Sequence, residues 1–343
     1  MAKYLDKTIG HIDISSNGDL DGLVTSFSRA SFQARNISRC VEVYRQMLQD
    51  EEAVIFFGLA GAMVPAGMRK IIADLLRHHL IDVLVSTGAN LYHDFFEAIG
   101  FRHYVGSASV NDQELRKAGI DRIYDTFASD TEFGQTEEKI AQIASGLEQR
   151  VYSSREFLKC LAGELDDDES ILCTAAREGV PVFCPALCDS GIGIALTHHY
   201  VRSGDGPRLM IDQIRDNFEI LQIKRDAVRT GAVFIGGGVP KNYIQQLTPM
   251  LDAFSVQGQG HSYFIQITTE DPKYGGLSGC TSAEAESWGK VTGEGAAATA
   301  YVDATIALPL VAGTVLSDYS GQSARAKRIF RWKGDQLEEM KIE

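Results

Sequence analysis

Short apolar runs, separated by glycine-rich turns and helical patterns, recur along most of the chain. The predicted strands are Ala53–Phe57, Ile81–Ser86, Val180–Cys184, Ala232–Ile235, Tyr263–Thr268 and Ala300–Val302. A continuous apolar run is typical of a strand that is buried on both faces. Apolar residues at helical spacing predict helices that include Phe32–Met47, Met68–His78, Leu91–Ile99 and Ala304–Leu316. This alternation predicts an α/β protein with a mainly parallel sheet and helices on both of its faces.

The 343 residues are predicted to form a single domain with elaborations, because no low-complexity linker divides them. A chain of this length can bury one large core. Residues 1–50 are interpreted as an N-terminal helical segment, and residues 101–170 as a more polar, helical insert.

The glycine-rich turns predict a ligand site at one edge of the sheet. They follow positions 57, 86, 183, 235 and 268. The carboxyl ends of parallel strands meet at one edge, where glycines admit a ligand to the backbone and helix N-termini attract anions. No G-x-G-x-x-G fingerprint follows the first strand, and tight turns need glycine with or without a ligand. The turns therefore indicate where a ligand would bind, but they do not identify the ligand.

The segment 278–290 carries the candidate nucleophile. It follows a glycine-rich stretch, continues as a short helical pattern and ends in Trp288, a glycine and Lys290. A lysine amine pressed against an apolar wall loses water, gives up its proton more readily and forms Schiff bases with carbonyl or imine carbons. The alternative is a solvated lysine that follows a half-buried tryptophan.

Three acidic residues stand at informative places. Asp189 and Asp303 follow predicted strands, and Glu284 lies six residues before Lys290. A carboxylate at the end of a strand holds ribose hydroxyls in dinucleotide sites, but it also caps the helix that follows. Two such acids beside glycine-rich turns, with a candidate nucleophile at the same edge, favour a site.

Composition narrows the class of partner. The chain has 33 Lys and Arg against 46 Asp and Glu, a formal charge of −13. Proteins that bind nucleic acids carry clustered positive charge, so no nucleic-acid partner is expected.

No apolar run reaches the roughly 20 residues of a membrane span, and the N-terminus lacks an apolar signal core, so we expect a cytoplasmic protein. The six cysteines form no C-x-x-C pair, and neither a disulfide framework nor a metal site is expected.

Several blocks of the chain resemble the deoxyhypusine synthase family, which includes related homospermidine synthases. The matching blocks are Phe57–Gly67, Val85–Thr87, Pro181–Asp189, Gly236–Lys241 and Ser287–Lys290. The spacing from Lys290 to Asp303 is also similar. The resemblance covers most of the chain, and it implies a Rossmann-like NAD-binding topology and a homotetramer with its sites at subunit interfaces.

The resemblance further implies an NAD-dependent transfer without net redox. NAD would take a hydride beside the secondary amine of a polyamine such as spermidine, Lys290 would hold the aminobutyl group covalently, and an acceptor amine would then receive it. By this resemblance Lys290 is catalytic. The polyamine-binding positions are Glu284, Trp288, Ser278 and Asn242. The NAD-binding positions are Thr87, Asp189, Gly238, Thr269 and Asp303.

Four positions depart from the family pattern. Two carboxylates that anchor the polyamine in deoxyhypusine synthase fall at Ile194 and Leu277, and the pocket histidine falls at Asn242. An acid near the NAD falls at His93, beside Asp94. Each lost anchor removes a charge-assisted partner worth roughly 1.5–3 kcal/mol. We therefore expect a donor that is held differently, and a small diamine as acceptor, as in homospermidine synthases.

Other functions stay open. The acceptor could be a protein lysine, as in deoxyhypusine synthase itself. The chain could instead be an NAD-dependent amine dehydrogenase that releases NADH, or a polyamine or nucleotide sensor that has lost activity together with its pocket acids. The presence of Lys290 and Glu284 argues against the sensor.

Overall fold

A computed structural model describes residues 7–15, 18–256, 258–319 and 325–343. Its strands are β1 (Ala53–Leu59), β2 (Val83–Ser86), β3 (Tyr104–Val105), β4 (Ile120–Ile123), β5 (Thr126–Ser129), β6 (Val151–Tyr152), β7 (Val182–Phe183), β8 (Met210–Ile211), β9 (Arg229–Ile235), β10 (His261–Thr268), β11 (Val291–Tyr301), β12 (Arg328–Lys333) and β13 (Gln336–Ile342). Its helices are α1 (Leu20–Ser26), α2 (Phe32–Gln49), α3 (Arg69–Arg77), α4 (Gly88–Ala98), α5 (Asp112–Ala118), α6 (Asp130–Gly146), α7 (Ser154–Ala162), α8 (Ile171–Glu178), α9 (Gly191–Ser203), α10 (Gln213–Asp226), α11 (Gly238–Gln245), α12 (Leu247–Ala253), α13 (Ser282–Glu286) and α14 (Ala304–Ser317). None of these helices is long and apolar enough to span a bilayer.

A six-stranded sheet of order β7-β2-β1-β9-β10-β11 forms the centre of the fold, and every neighbouring pair is parallel. Counted along the chain, these six strands have the order 3-2-1-4-5-6 of the Rossmann fold. The strand order reverses between β1 and β9, where the Ala60 N–H donates to Ile235 O at 3.0 Å. The predicted α/β class and parallel sheet are confirmed.

Helices cover both faces of the sheet, as predicted. Successive side chains of a strand point to opposite faces. On β1, Ile55 and Phe57 belong to an apolar cluster with residues of α2, α3 and α14. Val54 and Phe56 belong to a second cluster with residues of α10 and α11. All seven residues of β1 are buried, and each large apolar side chain contributes roughly 1.5–3 kcal/mol by leaving water. This explains why β1 has no polar alternation.

The predicted start of the strand at Ala300–Val302 is wrong. Strand β11 begins at Val291, directly after Lys290, and runs through a glycine- and alanine-rich stretch. It lies at the edge of the sheet, is paired with β10, and is packed against α2. Backbone pairing and the helix hold it in place, so its first half has no run of large apolar side chains to reveal it.

The insert at 101–170 is helical only in part. It contains α5, α6 and α7, but β3, β5 and β4 also form a small antiparallel sheet within it. These strands are two to four residues long and mostly not buried, so they leave no clear period in the sequence. The single-domain assignment of residues 1–343 stays a prediction.

Candidate active site

The residues matched to NAD positions lie along the carboxyl edge of the central sheet. Thr87, Gly238, Thr269 and Asp303 follow the ends of β2, β9, β10 and β11, and Asp189 lies between β7 and α9. The parallel sheet therefore brings together residues that are far apart in sequence, as the glycine-rich turns predicted.

A glycine turn lies beside the point where the strand order reverses. Gly236 and Gly238 have φ values of +75° and +54°, a region that favours glycine. A Cβ on Gly237 would lie 2.4 Å from Ser278 Cα, so only glycine fits there. The Gly238 N–H donates to Ser278 Oγ at 2.9 Å. Helix α11 begins at this turn without a side-chain cap from Gly237, and its N-terminus suits an anionic group such as a pyrophosphate.

Two of the five positions also have a local structural task. Thr87 Oγ1 caps α4 and donates to Gly61 O at 2.7 Å. Asp303 caps α14 by accepting the Thr305 N–H at 2.8 Å. The capping alternative therefore holds for Asp303. The carboxylate of Asp189 is exposed and has no hydrogen-bond partner in the described ranges.

Lys290 is buried, whereas its neighbour Trp288 is exposed. Lys290 is 8% exposed and Trp288 is 63% exposed, so the expected burial of the tryptophan is wrong for the single chain. Gly289, with φ +66°, lies in the turn that follows α13 and directs the chain toward β11. The Lys290 N–H then donates to Ala285 O at 3.0 Å, while Lys290 O accepts the His261 N–H at 2.9 Å. These bonds fix the lysine at the start of β11.

The amine of Lys290 has no fixed polar partner. Its Nζ lies 5.1 Å from the centroid of the Trp288 ring. Within the part of the chain that the structure describes, this Nζ has neither a hydrogen bond nor an ion pair. Lysine is almost never fully buried unless it is paired, so an unpaired amine favours the functional interpretation over the solvated one. Lys290 precedes the first residue of β11, which pairs with His261 at the start of β10. Its backbone therefore lies at the amino end of these strands, and the prediction that it shares the carboxyl edge with Asp189 and Asp303 is wrong.

The other polyamine positions all precede this lysine in the sequence, and they differ in exposure. Glu284 is exposed on α13, and its N–H is capped by Thr281 Oγ1 at 3.1 Å. Asn242 is half-buried in α11. Ile194 and Leu277, which replace the family's acids, are 48% and 54% exposed. The anchoring charge on this side of the site is therefore reduced.

His93 belongs to a buried chain of polar groups that the sequence did not reveal. Its Nδ1 lies 2.9 Å from His103 Nε2, and His103 Nδ1 lies 2.6 Å from Glu97 Oε1. Burial, helped by His103, lowers the pKa of His93 to about 3. His93 is therefore neutral near neutral pH and does not replace the charge of the family's acid.

Asp94, beside His93, has a structural role. It is fully buried and accepts from Arg69 Nε at 2.7 Å and from the N–H groups of Ile171 and Leu172 at 2.9 Å each. These contacts tie α4 to α3 and to the start of α8. The side chain therefore has no free capacity for a ligand.

Two buried polar residues beneath the site were not predicted. Lys241 and Gln266 are each 1% exposed and contact the backbone around Ser278. Gln266 could have been identified from the sequence, because it is a polar residue inside an apolar strand pattern. A buried polar group of this kind needs a hydrogen-bond partner. No group of three or more His, Cys, Asp or Glu in the described ranges is arranged to hold a metal ion.

Comparisons with known proteins agree over most of the chain. The family model of deoxyhypusine synthase matches residues 22–315. "Probable deoxyhypusine synthase 2" of Methanosarcina acetivorans is 45% identical, over 94% of this chain and 93% of the relative. "Deoxyhypusine synthase-like protein" of Chlorobaculum tepidum is 39% identical over 94% of each. A crystal structure assigned to deoxyhypusine synthase of Entamoeba histolytica has a TM-score of 0.63 at 16% identity, over 93% of this chain and 99% of that one, which is a likeness of fold.

Proposed function

The chain belongs to the deoxyhypusine synthase family, and from this premise we propose that it is an NAD-dependent transferase that moves an aminobutyl group between amines. Aminobutyl transfer is the general activity of the family. We propose a polyamine such as spermidine as donor, a small diamine as acceptor and the cytoplasm as location. NAD is required, yet the overall reaction involves no net redox.

The observation that carries this proposal is the buried and unpaired Lys290. The residue is 8% exposed, and within the described ranges no carboxylate or carbonyl oxygen binds its Nζ, so this nitrogen is left available to a ligand. A neutral amine attacks the carbon of an imine, which is the step that a covalent transfer needs. Lys290 adds to the imine carbon of the oxidised donor, and the diamine part of the donor leaves. The acceptor amine then attacks the same carbon and releases Lys290.

The residues of the carboxyl edge fit NAD. The Gly236–Gly238 turn and the N-terminus of α11 offer backbone N–H groups to the pyrophosphate, and a side chain on Gly237 would close this approach. Asp189 and Asp303 supply the carboxylates that would accept hydrogen bonds from the ribose hydroxyls. When bound, NAD supplies the acceptor for a hydride from the carbon beside the donor nitrogen, and it returns the hydride at the end.

The amine pocket supports a small acceptor. A terminal ammonium of the donor needs a carboxylate, and Glu270, Asp271 and Glu284 are acids of the segment that leads to Lys290. Asp271 already pairs with Lys273 at 2.7 Å. Glu270 and Glu284 are exposed acids without such a partner in the described ranges, and we assign the ammonium to them. Trp288 presents an open ring face to a cation. With Ile194 and Leu277 in place of acids, the pocket holds fewer charges than the family pattern provides.

A protein lysine is the second candidate acceptor. Its support is the name "Probable deoxyhypusine synthase 2" given to a relative that is 45% identical. A different candidate function is that of a dehydrogenase that releases NADH. It is supported only by the residues proposed to bind NAD.

A product assay separates these candidates. The protein is incubated with NAD, spermidine and putrescine, and the products are identified by mass spectrometry. We expect homospermidine, no steady accumulation of NADH, and no turnover by Lys290→Ala. Transfer of labelled aminobutyl to a protein lysine, without any diamine product, would make the acceptor assignment wrong. Steady NADH release would support the dehydrogenase.

We also propose a homotetramer with its sites between subunits. The support is the exposed apolar side chains of the segment that leads to Lys290, namely Tyr274, Leu277 and Trp288 at 76%, 54% and 63% exposure. Apolar side chains that cluster at a site and face water in one chain are commonly covered by a partner. A solution mass of about four times 37.5 kDa is expected from sedimentation.

A further inference from the structure

Lys241, in the first turn of α11, is a second buried lysine, 1% exposed, and it lies near the glycine turn at the carboxyl edge. Its Nζ donates to Gln266 Oε1 at 2.8 Å, to Cys280 O at 2.5 Å and to Ser278 O at 3.4 Å. An ammonium group carries three protons, so these three oxygens match it one for one. No carboxylate pairs with it in the described parts of the chain. A buried charge held only by neutral oxygens is destabilising, which calls for a compensating role.

Gln266 extends this contact in two directions. Because Lys241 can only donate, the amide oxygen of Gln266 must face it, and this fixes which way the amide points. Gln266 Nε2 then donates to Gly236 O at 2.9 Å and to Ser278 O at 2.7 Å. The Ser278 hydroxyl in turn accepts the Gly238 N–H. Through Lys241 of α11 and Gln266 of β10, this network joins the glycine turn after β9 to the loop after β10.

These two segments belong to different halves of the site. The Gly236–Gly238 turn belongs to the proposed NAD half. The Ser278–Cys280 loop leads through α13 to Lys290 and so positions the amine half. We propose that Lys241 is a positioning residue, which acts with Gln266 to hold the two halves at the fixed separation that transfer requires. This inference rests on the proposed function for its kinetic consequences, but not for the structural ones.

The same contacts make the positioning sensitive to pH. Burial lowers the pKa of Lys241 to about 8, and the charged or titratable groups that face it are Cys280, Glu284 and Lys290. Loss of one proton leaves two donors for three oxygens. The loop is therefore held less firmly as the pH rises above about 8.

The test compares Lys241→Met with Lys224→Met. Lys224 is an equally buried lysine, 4% exposed, but its Nζ bonds Thr230 Oγ1 near the amino end of β9. In the described ranges it has no hydrogen bond to the glycine turn or to the Ser278–Cys280 loop. Displacing a reactive group by about 1 Å costs on the order of 100-fold in rate. We expect Lys241→Met to lower kcat by about 10- to 100-fold, with KM for the polyamine changed less than about threefold. The control variant is expected to keep wild-type kcat.

Two further measurements make the result decisive. Hydrogen exchange at the amides of residues 278–281 is expected to be faster in Lys241→Met and unchanged in Lys224→Met. The kcat of the wild type is expected to fall above pH 8 relative to that of Lys241→Met. If Lys241→Met does not fold, Gln266→Leu removes the same bridge and has the same expected outcome.

Different results would overturn different parts of the account. A Lys241→Met protein with near-wild-type kcat and unchanged exchange at residues 278–281 would contradict the positioning role, as would an equal loss of kcat in Lys224→Met. A wild-type protein that transfers nothing between any amines contradicts the proposed function instead. Hydrogen exchange then still decides whether Lys241 fixes the loop.

Discussion

At the scale of single residues, a glycine decides which of two neighbouring side chains is buried. Gly289 adopts a left-handed conformation with φ +66° in the turn after α13, and this turn returns the chain to the sheet. Lys290 becomes the residue before β11 and loses water, while Trp288 stays on the outside. The sequence predicted the desolvated lysine but not the exposed ring, because tryptophan usually seeks burial. Only the turn geometry shows which of the two enters the core.

The exposed Trp288 allows a test of its contact with the polyamine. A cation over an exposed aromatic ring gains about 0.5–1 kcal/mol, or roughly two- to fivefold in binding. Trp288→Ala is expected to raise KM for the polyamine by about this factor or more, with the melting temperature nearly unchanged because little core is lost. Steady-state kinetics and thermal melts measure both quantities. Trp288→Phe, which keeps a ring, serves as the control, and a KM equal to that of Trp288→Ala would exclude the contact.

At the scale of elements, Asp94 joins three helices near the cofactor half of the site. Burial raises the pKa of its carboxyl, against the opposing pull of Arg69 and the N–H groups of α8. The sequence placed Asp94 next to a family position for NAD, but its bonds show that it supports the scaffold. Local pattern could not show this, because its partners lie 25 and more residues away.

Asp94→Ala should therefore destabilise the fold strongly. The change leaves Arg69 buried beside an empty position and removes the acceptor for two N–H groups of α8, and breaking a buried pair in this way costs about 3–5 kcal/mol. Asp166→Ala is a matched control, because its carboxylate is fully exposed in an ion pair with Arg177. It should cost less than about 1 kcal/mol. Urea unfolding measures both changes, and similar losses would contradict the assigned role of Asp94.

The elements show where sequence patterns succeed and where they fail. Strand β1 was predicted because burial on both faces requires an unbroken apolar run. Most of β11 was missed because an edge strand that is paired and covered by α2 needs no such run. The strands β3, β4 and β5 were missed because they are short and half-exposed. Lys241 was missed because its acceptors, the Gln266 side chain and two backbone oxygens of a loop, lie 25 or more residues away in the sequence.

At the scale of the whole molecule, two buried groups make the free energy of unfolding depend on pH. Burial raises the pKa of Asp216 to about 7, so the stability that it contributes is present below pH 4 and is lost as the pH rises through 7. Burial lowers the pKa of Lys224 to about 7. Between that value and about 10.4 the unfolded chain holds the extra proton, so stability rises with pH in this window.

Replacing Lys224 should remove the second of these dependences. Lys224→Met is expected to exceed the wild type in free energy of unfolding by the largest margin near pH 6, and by a margin that shrinks toward pH 10. The change is at most about 1.4 kcal/mol per pH unit. Urea unfolding at several pH values measures it. A margin that is constant across this range would contradict the lowered pKa of Lys224.

The central claim is that Lys290 carries the transferred group, and reductive trapping tests it most directly. The protein is mixed with NAD and labelled spermidine, treated with borohydride, and mapped by peptide mass spectrometry. We expect an aminobutyl adduct on the peptide that contains Lys290, no adduct without NAD, and none in Lys290→Arg. An adduct on another lysine such as Lys241, or the absence of any adduct while transfer product forms, would contradict the claim.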